Sequence, residues 1–251
     1  VSEPDAFAVF LDFDGTLAEL APTPDAVQVD PTLVPNLESL KSRLGGALAI
    51  VTGRPVSVID HFLVPSRFDV AGLHGVERRV DGQLSGGRPE DHPALRAGVE
   101  RLKQQAASLD KVLIEDKGAS VAVHWRLANE ADTEAAQGIV KALAAELGSA
   151  YRLQLGKAVG EVVPADATKG HAIRAFLERP PYAGRRAIFF GDDKTDELAF
   201  ESVNADGGVS VRIGDEETIA RRRLAAPADV RALIAGWANG APINPDALPP
   251  A

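Results

Sequence analysis

No cysteine occurs among the 251 residues, which excludes disulfides and thiolate chemistry and fits a reducing compartment. Methionine is absent too, position one included, as expected of a chain whose start has been removed or from which residues are missing. Basic residues are the minority sign: 27 Lys and Arg stand against 36 Asp and Glu, for a formal net charge of -9. A duplex-binding surface needs a concentrated excess of Lys and Arg, so no nucleic-acid partner is expected, and an anionic ligand would need a local cation. No apolar run approaches the ~18 residues of a membrane span. Residues 1–5 carry Glu3 and Asp5 where an export signal carries basic residues. The expectation is a soluble, cytoplasmic protein with no membrane partner. Internal repeats, heptads and low-complexity tracts are also missing.

What is present begins with hydrophobic residues at 45%, enough for a substantial core in one large domain or two. Residues 6–11 and 48–51 are short continuous apolar runs, the pattern of strands buried on both faces of a parallel sheet. Between them Leu33, Leu37, Leu40 and Leu44 recur at helical intervals behind Asp30-Pro31, a cap and first-turn pair. Residues 187–190 repeat the apolar run and lead into Gly191-Asp192-Asp193, and residues 209–213 supply a further strand. Strands interleaved with helices predict an α/β fold built on a doubly wound parallel sheet, with ligands at the carboxyl ends of its strands. The middle of the chain, from the loop Asp81-Gly82 to Gly86-Gly87 as far as Pro164, reads as an insertion. Leu95, Val99, Leu102, Ala106 and Leu109 mark one amphipathic helix there, and Ala135, Ile139, Leu143 and Leu147 a second. Residues 112–115 and 120–125 flank a Lys117-Gly118 turn, and residues 151–155 pair with 159–163. The predicted domains are a core of residues 1–81 and 165–251 and an inserted α+β cap of residues 82–164. The Pro-rich ending after Pro242 reads as a loose tail.

Asp12-Phe13-Asp14-Gly15-Thr16 follows the first apolar run directly, so two carboxylates emerge where a strand ends and the glycine lets the backbone turn. A polar turn capping the strand is the alternative. Gly191-Asp192-Asp193-Lys194-Thr195-Asp196-Glu197 also follows a strand and precedes a helix. Helix capping accounts for one Asp or Thr there but not for three Asp and a Glu, which repel one another unless a cation holds them. Hard Mg²⁺ suits such oxygen ligands. In Thr52-Gly53-Arg54-Pro55, the hydroxyl and backbone N–H groups offer donors to a phosphate beside a helix start, or else form a turn with a helix-starting proline. Lys169-Gly170 by itself is a surface lysine; its place in the order of motifs gives it a different weight.

These four pieces, in this order, resemble the haloacid dehalogenase-type phosphatase superfamily. The resemblance implies a Rossmann-like core, Asp12 as nucleophile, and Asp14 as general acid and then base. It also implies Thr52 and Lys169 as phosphate holders, and Mg²⁺ as cofactor on Asp192, Asp12 and the Asp14 backbone carbonyl. Asp193 and Asp196 complete the candidate metal set, one of them expected to act from behind the direct ligands. Residues 18–22 and Gly72-Leu73-His74-Gly75 narrow the likeness to trehalose-6-phosphate phosphatases, over roughly residues 6–214. That likeness implies that Gly53 and Arg54 contact substrate, and that Glu115, Lys117, His124, Arg126 and Glu161 of the cap contact a sugar through hydrogen bonds to its hydroxyls. Alternating charge on a half-exposed hairpin is the plain alternative for the cap residues, and a hydrogen-bonded turn for His74. Three positions depart from the family pattern: Thr52 replaces a serine, Val163 an arginine, and Lys194 an often apolar residue. The expected partner is a phosphorylated disaccharide, acted on by a monomer, with functional pairing to a sugar-phosphate synthase as an association the likeness allows. Other readings are a phosphatase for sucrose phosphate or mannosyl-phosphoglycerate, a non-catalytic sugar-phosphate-binding regulatory module, and a phosphomutase.

Overall fold

The structure, a computed structural model, describes residues 4–21, 26–156 and 158–251. Pro22, which ends the segment 18–22, and the first three residues lie outside the described residues. The chain divides into two compact units, Val1–Leu84 with Thr168–Ala251, and Ser85–Ala167.

The first unit opens with strand β1 (Phe7–Leu11), helix α1 (Leu33–Arg43), strand β2 (Leu48–Val51), helix α2 (Val56–Phe62) and strand β3 (Asp69–Gly72), followed by the hairpin β4 (Glu77–Val80) and β5 (Gln83–Ser85). The second unit contributes α3 (Pro93–Ala106), β6 (Leu113–Asp116), β7 (Val121–His124), α4 (Glu130–Leu147), β8 (Tyr151–Gly156) and β9 (Val159–Pro164). The chain then returns to the first unit through α5 (Lys169–Leu177), β10 (Arg186–Gly191), α6 (Lys194–Ala205), β11 (Val209–Ile213), β12 (Arg222–Leu224) and α7 (Pro227–Ala238).

One eight-stranded sheet runs β12-β11-β10-β1-β2-β3-β4-β5. Every pair from β12 to β3 is parallel, and β4 turns back antiparallel to β3. The apolar runs of β1, β2 and β11 are buried at every residue, as strands covered on both faces must be. Phe10 packs against the rings of Phe176 and Tyr182, with centroids 5.8 and 5.7 Å away. Burial of such a side chain contributes about 1.5–3 kcal/mol. Tyr182 donates its hydroxyl to Asp69 Oδ2 at 2.7 Å and to the Leu48 carbonyl at 3.0 Å. That bond ties down the amino-terminal edge of β2 and β3 and leaves the carboxyl edge for chemistry.

Three expectations need correction. The loop at Asp81-Gly82 is a two-residue hairpin turn, both residues at positive φ, which extends the main sheet through β4 and β5. The buried stripe of α4 is Ala136, Val140 and Leu143, with Ala135 exposed and Ile139 only partly buried, so the stripe sits one residue further round the helix. The ending after Pro242 is tied down: Ile243 is buried, and Pro250 bridges Arg222 on the free edge of β12. Edge strands need such cover because their backbone groups otherwise invite another chain.

In the second unit the antiparallel sheet β6-β7-β9-β8 lies on α3 and α4. Val121, Val123 and Val162 pack with Leu95, Val99, Leu102, Val140 and Trp125. Strand alternation sends Glu115, Ala122 and Glu161, which are register partners, to the opposite face. No helix among the described residues is long and apolar enough to cross a membrane.

Candidate active site

At the carboxyl edge of the main sheet, β1 is the strand from which the chain order runs both ways, to β2 and β3 on one side and β10 and β11 on the other. A crevice opens at such a switch point. Leu11 pairs with Phe190 and with Ile50, so Asp12, Thr52 and Asp192 leave their strands at one edge. Asp12 is 4% exposed and donates its N–H to the Phe190 carbonyl at 3.0 Å. Helix α5, capped by the Thr168 hydroxyl, begins with Lys169. A Cβ on Gly170 would stand 3.1 Å from Ser202 Cβ and 3.3 Å from Ala199 Cα, so this glycine lets α5 and α6 approach closely. The Lys169 ammonium, 4% exposed, then reaches Asp12 Oδ1 at 2.9 Å and Asp196 Oδ1 at 2.7 Å.

Asp196 has its other oxygen engaged as well: Oδ2 accepts the N–H groups of Asp192 at 3.0 Å and Asp193 at 3.1 Å, which folds the acidic loop around it. Asp193 is the N-cap of α6, its Oδ1 accepting from Thr195 N at 2.8 Å, Thr195 Oγ1 at 2.7 Å and Asp196 N at 3.2 Å. Asp192 lies against the motif turn, where a Cβ on Gly15 would fall 1.9 Å from its Oδ2, and Gly15 sits at φ +68. Only glycine fits there.

One carboxylate oxygen each from Asp12, Asp192 and Asp196 lie within 4.8 Å of one another. At an effective dielectric of about 20, two carboxylates at that separation repel by about 3 kcal/mol. Burial, with Asp196 and Asp192 adding to it against Lys169, pushes the Asp12 carboxyl well above its ordinary range. Burial and the neighbouring Asp196 and Asp193 push Asp192 to about 6, and burial likewise raises Asp196. Burial opposes the charge on Lys169, yet Asp12, Asp196 and Asp193 hold it firmly protonated. Ionised together, three carboxylates facing one ammonium would leave two negative charges uncompensated, which is why their protons are held so firmly without a cation. Hard oxygen donors with that deficit fit a divalent cation such as Mg²⁺.

Asp14 stands apart from this triad. Its Oδ2 accepts from Arg54 Nε at 2.6 Å and its Oδ1 from Arg54 Nη2 at 2.7 Å. The guanidinium lies 5.1 Å from the Phe62 ring centroid and 5.8 Å from that of Phe13. The Thr52-Gly53-Arg54 loop is clamped by the turn after β3: His74 N donates to the Thr52 carbonyl at 2.9 Å and Leu73 N to the Arg54 carbonyl at 3.0 Å. Leu73 and His74 hold φ of 48 and 57, a left-handed conformation that costs non-glycine residues energy. Thr52 is 1% exposed, and its hydroxyl accepts from Arg54 N at 3.2 Å. At the start of α2, Val56 N donates to Glu77 Oε2 at 2.8 Å, because the β4 hairpin returns Glu77 across that helix.

In the second unit, His124 Nε2 meets Glu115 Oε2 at 2.9 Å, and Glu161 Oε1 accepts from Lys117 Nζ at 3.0 Å and Ser120 Oγ at 2.9 Å. The sheet face therefore brings Glu115, Lys117, His124 and Glu161 together, while Arg126 is exposed two residues beyond β7. Ser120 was not among the expected residues, and no motif marks it. Nor was Arg212, which donates to the Asp193 carbonyl at 3.0 Å, to Glu197 at 3.3 Å and to Glu216 at 3.0 Å, bracing the acidic loop. Its signal was a charge inside the apolar run Val-Ser-Val-Arg-Ile.

Comparison with known proteins follows the same lines. The family model described as Trehalose-phosphatase matches residues 10–230. A probable trehalose-phosphate phosphatase of Sinorhizobium fredii is 50% identical over 216 residues, 84% of this chain and 78% of the relative. The trehalose-6-phosphate phosphatase of Escherichia coli is 38% identical over 225 residues, 89% of this chain and 84% of its own. A crystal structure of a trehalose-6-phosphate phosphatase related protein superposes with a TM-score of 0.75 at 26% identity, covering 92% of this chain and 97% of that one. With the match running from within β1 to within α7, the chain belongs to the trehalose-phosphatase family, phosphoric monoester hydrolases of the haloacid dehalogenase type.

Proposed function

We propose that this chain hydrolyses trehalose 6-phosphate to trehalose and phosphate with Mg²⁺ as the cation and Asp12 as the nucleophile. The observation that carries the reading is the setting of Asp12, a buried carboxylate at the end of the central strand with the Lys169 ammonium 2.9 Å away and Asp192 and Asp196 beside it. A carboxylate approaching a phosphate dianion is opposed by like charge, so the positive groups around Asp12 are what make the encounter feasible. An Asp12 oxygen attacks phosphorus while the phosphorus–oxygen bond to the sugar breaks, and Asp14 gives its proton to the departing oxygen. In the second step Asp14 takes a proton from water as that water attacks the aspartyl-phosphate, which returns Asp12 and releases phosphate. Thr52, the Gly53 backbone and Lys169 hold the phosphoryl oxygens, and Arg54, next along the same loop, holds Asp14. Asp12, Asp192 and the Asp14 carbonyl would hold Mg²⁺, which would supply positive charge against the phosphoryl oxygens. Asp196, whose oxygens already accept from Lys169 and two backbone N–H groups, adds charge from behind, and Asp193 shapes the loop as a helix cap.

The sugar hydroxyls are met by Glu115, Lys117, His124, Arg126 and Glu161. Carboxylates accept from hydroxyls and the cationic groups donate to them. A panel of sugar phosphates, including sucrose phosphate and mannosyl-phosphoglycerate, tests the whole reading when phosphate release is measured with and without EDTA. Trehalose 6-phosphate is expected to be the best substrate, with activity lost in EDTA and restored by Mg²⁺. Trehalose 6-phosphate among the poorest substrates would overturn the assignment.

A further inference from the structure

We propose that Arg54 is a positioning residue for Asp14: its guanidinium aims the acid–base carboxylate and keeps it out of the cation cluster, yielding one of its two bonds when a proton is transferred. This inference rests on the roles given above to Asp12 and Asp14.

The geometry is a two-bond fork, with Arg54 Nε and Nη2 at 2.6 and 2.7 Å from the two Asp14 oxygens. Such parallel bonds fix the plane of a carboxylate as well as its place. Each Asp14 oxygen accepts one N–H, and an oxygen that carries the proton is a poor acceptor, so protonating Asp14 weakens the bond to that oxygen while the other persists. The fixed member of the pair is Arg54. Its carbonyl accepts from Leu73 N, its own N–H donates to the Thr52 hydroxyl, and its guanidinium lies near two aromatic rings. Its side chain is 14% exposed against 32% for Asp14. The Asp14 backbone is held by the tight turn in which Gly15 N and Ala18 N donate to the Ala18 and Phe13 carbonyls. What moves is therefore the short Asp14 side chain, which rotates while one bond to a rigid arm still aims it.

The need for such an arm is electrostatic. Asp14 stands two residues from Asp12, whose carboxyl is gathered with those of Asp192 and Asp196 about one ammonium. A fourth carboxylate free to rotate would be drawn to any cation held there and lost to acid–base work. A lysine at position 54 keeps the charge but cannot reproduce the fork.

The test compares the parent chain with Arg54→Lys, Arg54→Ala, Asp14→Asn and the Asp14→Asn/Arg54→Ala double variant. Two first steps are measured. One is release of trehalose from trehalose 6-phosphate, whose leaving oxygen needs a proton. The other is the burst of p-nitrophenol from p-nitrophenyl phosphate, whose leaving group needs none. If Arg54 acts through Asp14, both Arg54 variants lose at least about 10-fold more in the first-step rate on the sugar phosphate than on the aryl phosphate, with KM unchanged. In the Asp14→Asn background, Arg54→Ala then adds less than about 3-fold. Arg54→Lys retains inhibition by inorganic phosphate, which also shows that it folds. Equal losses on both substrates, with raised KM and weakened phosphate inhibition, would overturn the inference and make Arg54 a phosphate contact only. If Asp14→Asn itself fails to discriminate the two substrates, Asp14 is not the acid, and the reading beneath the inference falls with it.

Discussion

Asp12 concentrates the chemistry of the site in one side chain. Its carboxyl is buried and crowded by Asp196 and Asp192, and Lys169 at 2.9 Å is the charge that offsets them. Asp12→Asn keeps the volume and the bonds of the backbone but removes the attacking oxyanion. It also removes one of three repelling charges, so the variant is expected to be folded and at least as stable as the parent without metal. Turnover should fall to background, by ~10⁴-fold or more, because no neighbouring group substitutes for the nucleophile. Phosphate release from trehalose 6-phosphate, alongside circular dichroism and a thermal melt, checks both halves. Undiminished turnover in a clean preparation would exclude the covalent route.

Between elements, the contact that matters most is that of α5 with α6, which sets the reach of Lys169. Gly170→Val places branched carbons where 3.1 Å to Ser202 Cβ leaves no room, and is expected to cost about 1–3 kcal/mol in urea unfolding and to lower kcat by moving the ammonium. Ser202→Gly in the same chain should recover part of the loss. In the second unit, Arg96 on α3 holds the Asp116 carboxyl of β6 below the ordinary carboxylate range, against its partial burial and with help from Gly118 N–H and Lys103. A carboxyl lowered on folding contributes stability that is complete above its unfolded value, near ~3.9, and is lost as pH falls toward the folded value. Arg96→Ala should thus be less stable than the parent at neutral pH, with the gap in urea midpoints closing between about pH 4 and pH 2. The strands that carry Asp12, Thr52 and Asp192 were legible because burial on both faces writes a continuous apolar run. The β4 strand was not, since Glu77-Arg78-Arg79 spends its side chains on ion pairs and a helix start, and charge hides the strand pattern. The motifs named Asp14 and Arg54 separately; that they pair depends on the β3 turn clamping one loop beside the other, a long-range contact that no local spacing encodes.

At the scale of the molecule, each unit holds one tryptophan in its core, Trp237 in the first and Trp125 in the second. The candidate cation ligands all belong to the first unit. Mg²⁺ at 100 times its dissociation constant stabilises what binds it by about 2.7 kcal/mol. Unfolding followed by fluorescence in a Trp125→Phe chain should therefore shift to higher urea with Mg²⁺, whereas in a Trp237→Phe chain the remaining signal should shift less. Equal shifts would mean that the two units unfold as one. The order of the strands has a further consequence for synthesis. β1 is made before the second unit, but its neighbour β10 comes only after it, so a nascent chain stopped before Arg186 leaves one side of Phe7–Leu11 unpaired. Until β10 is made, that side of an apolar strand has no partner, and a strand edge without a partner is open to pairing with another chain.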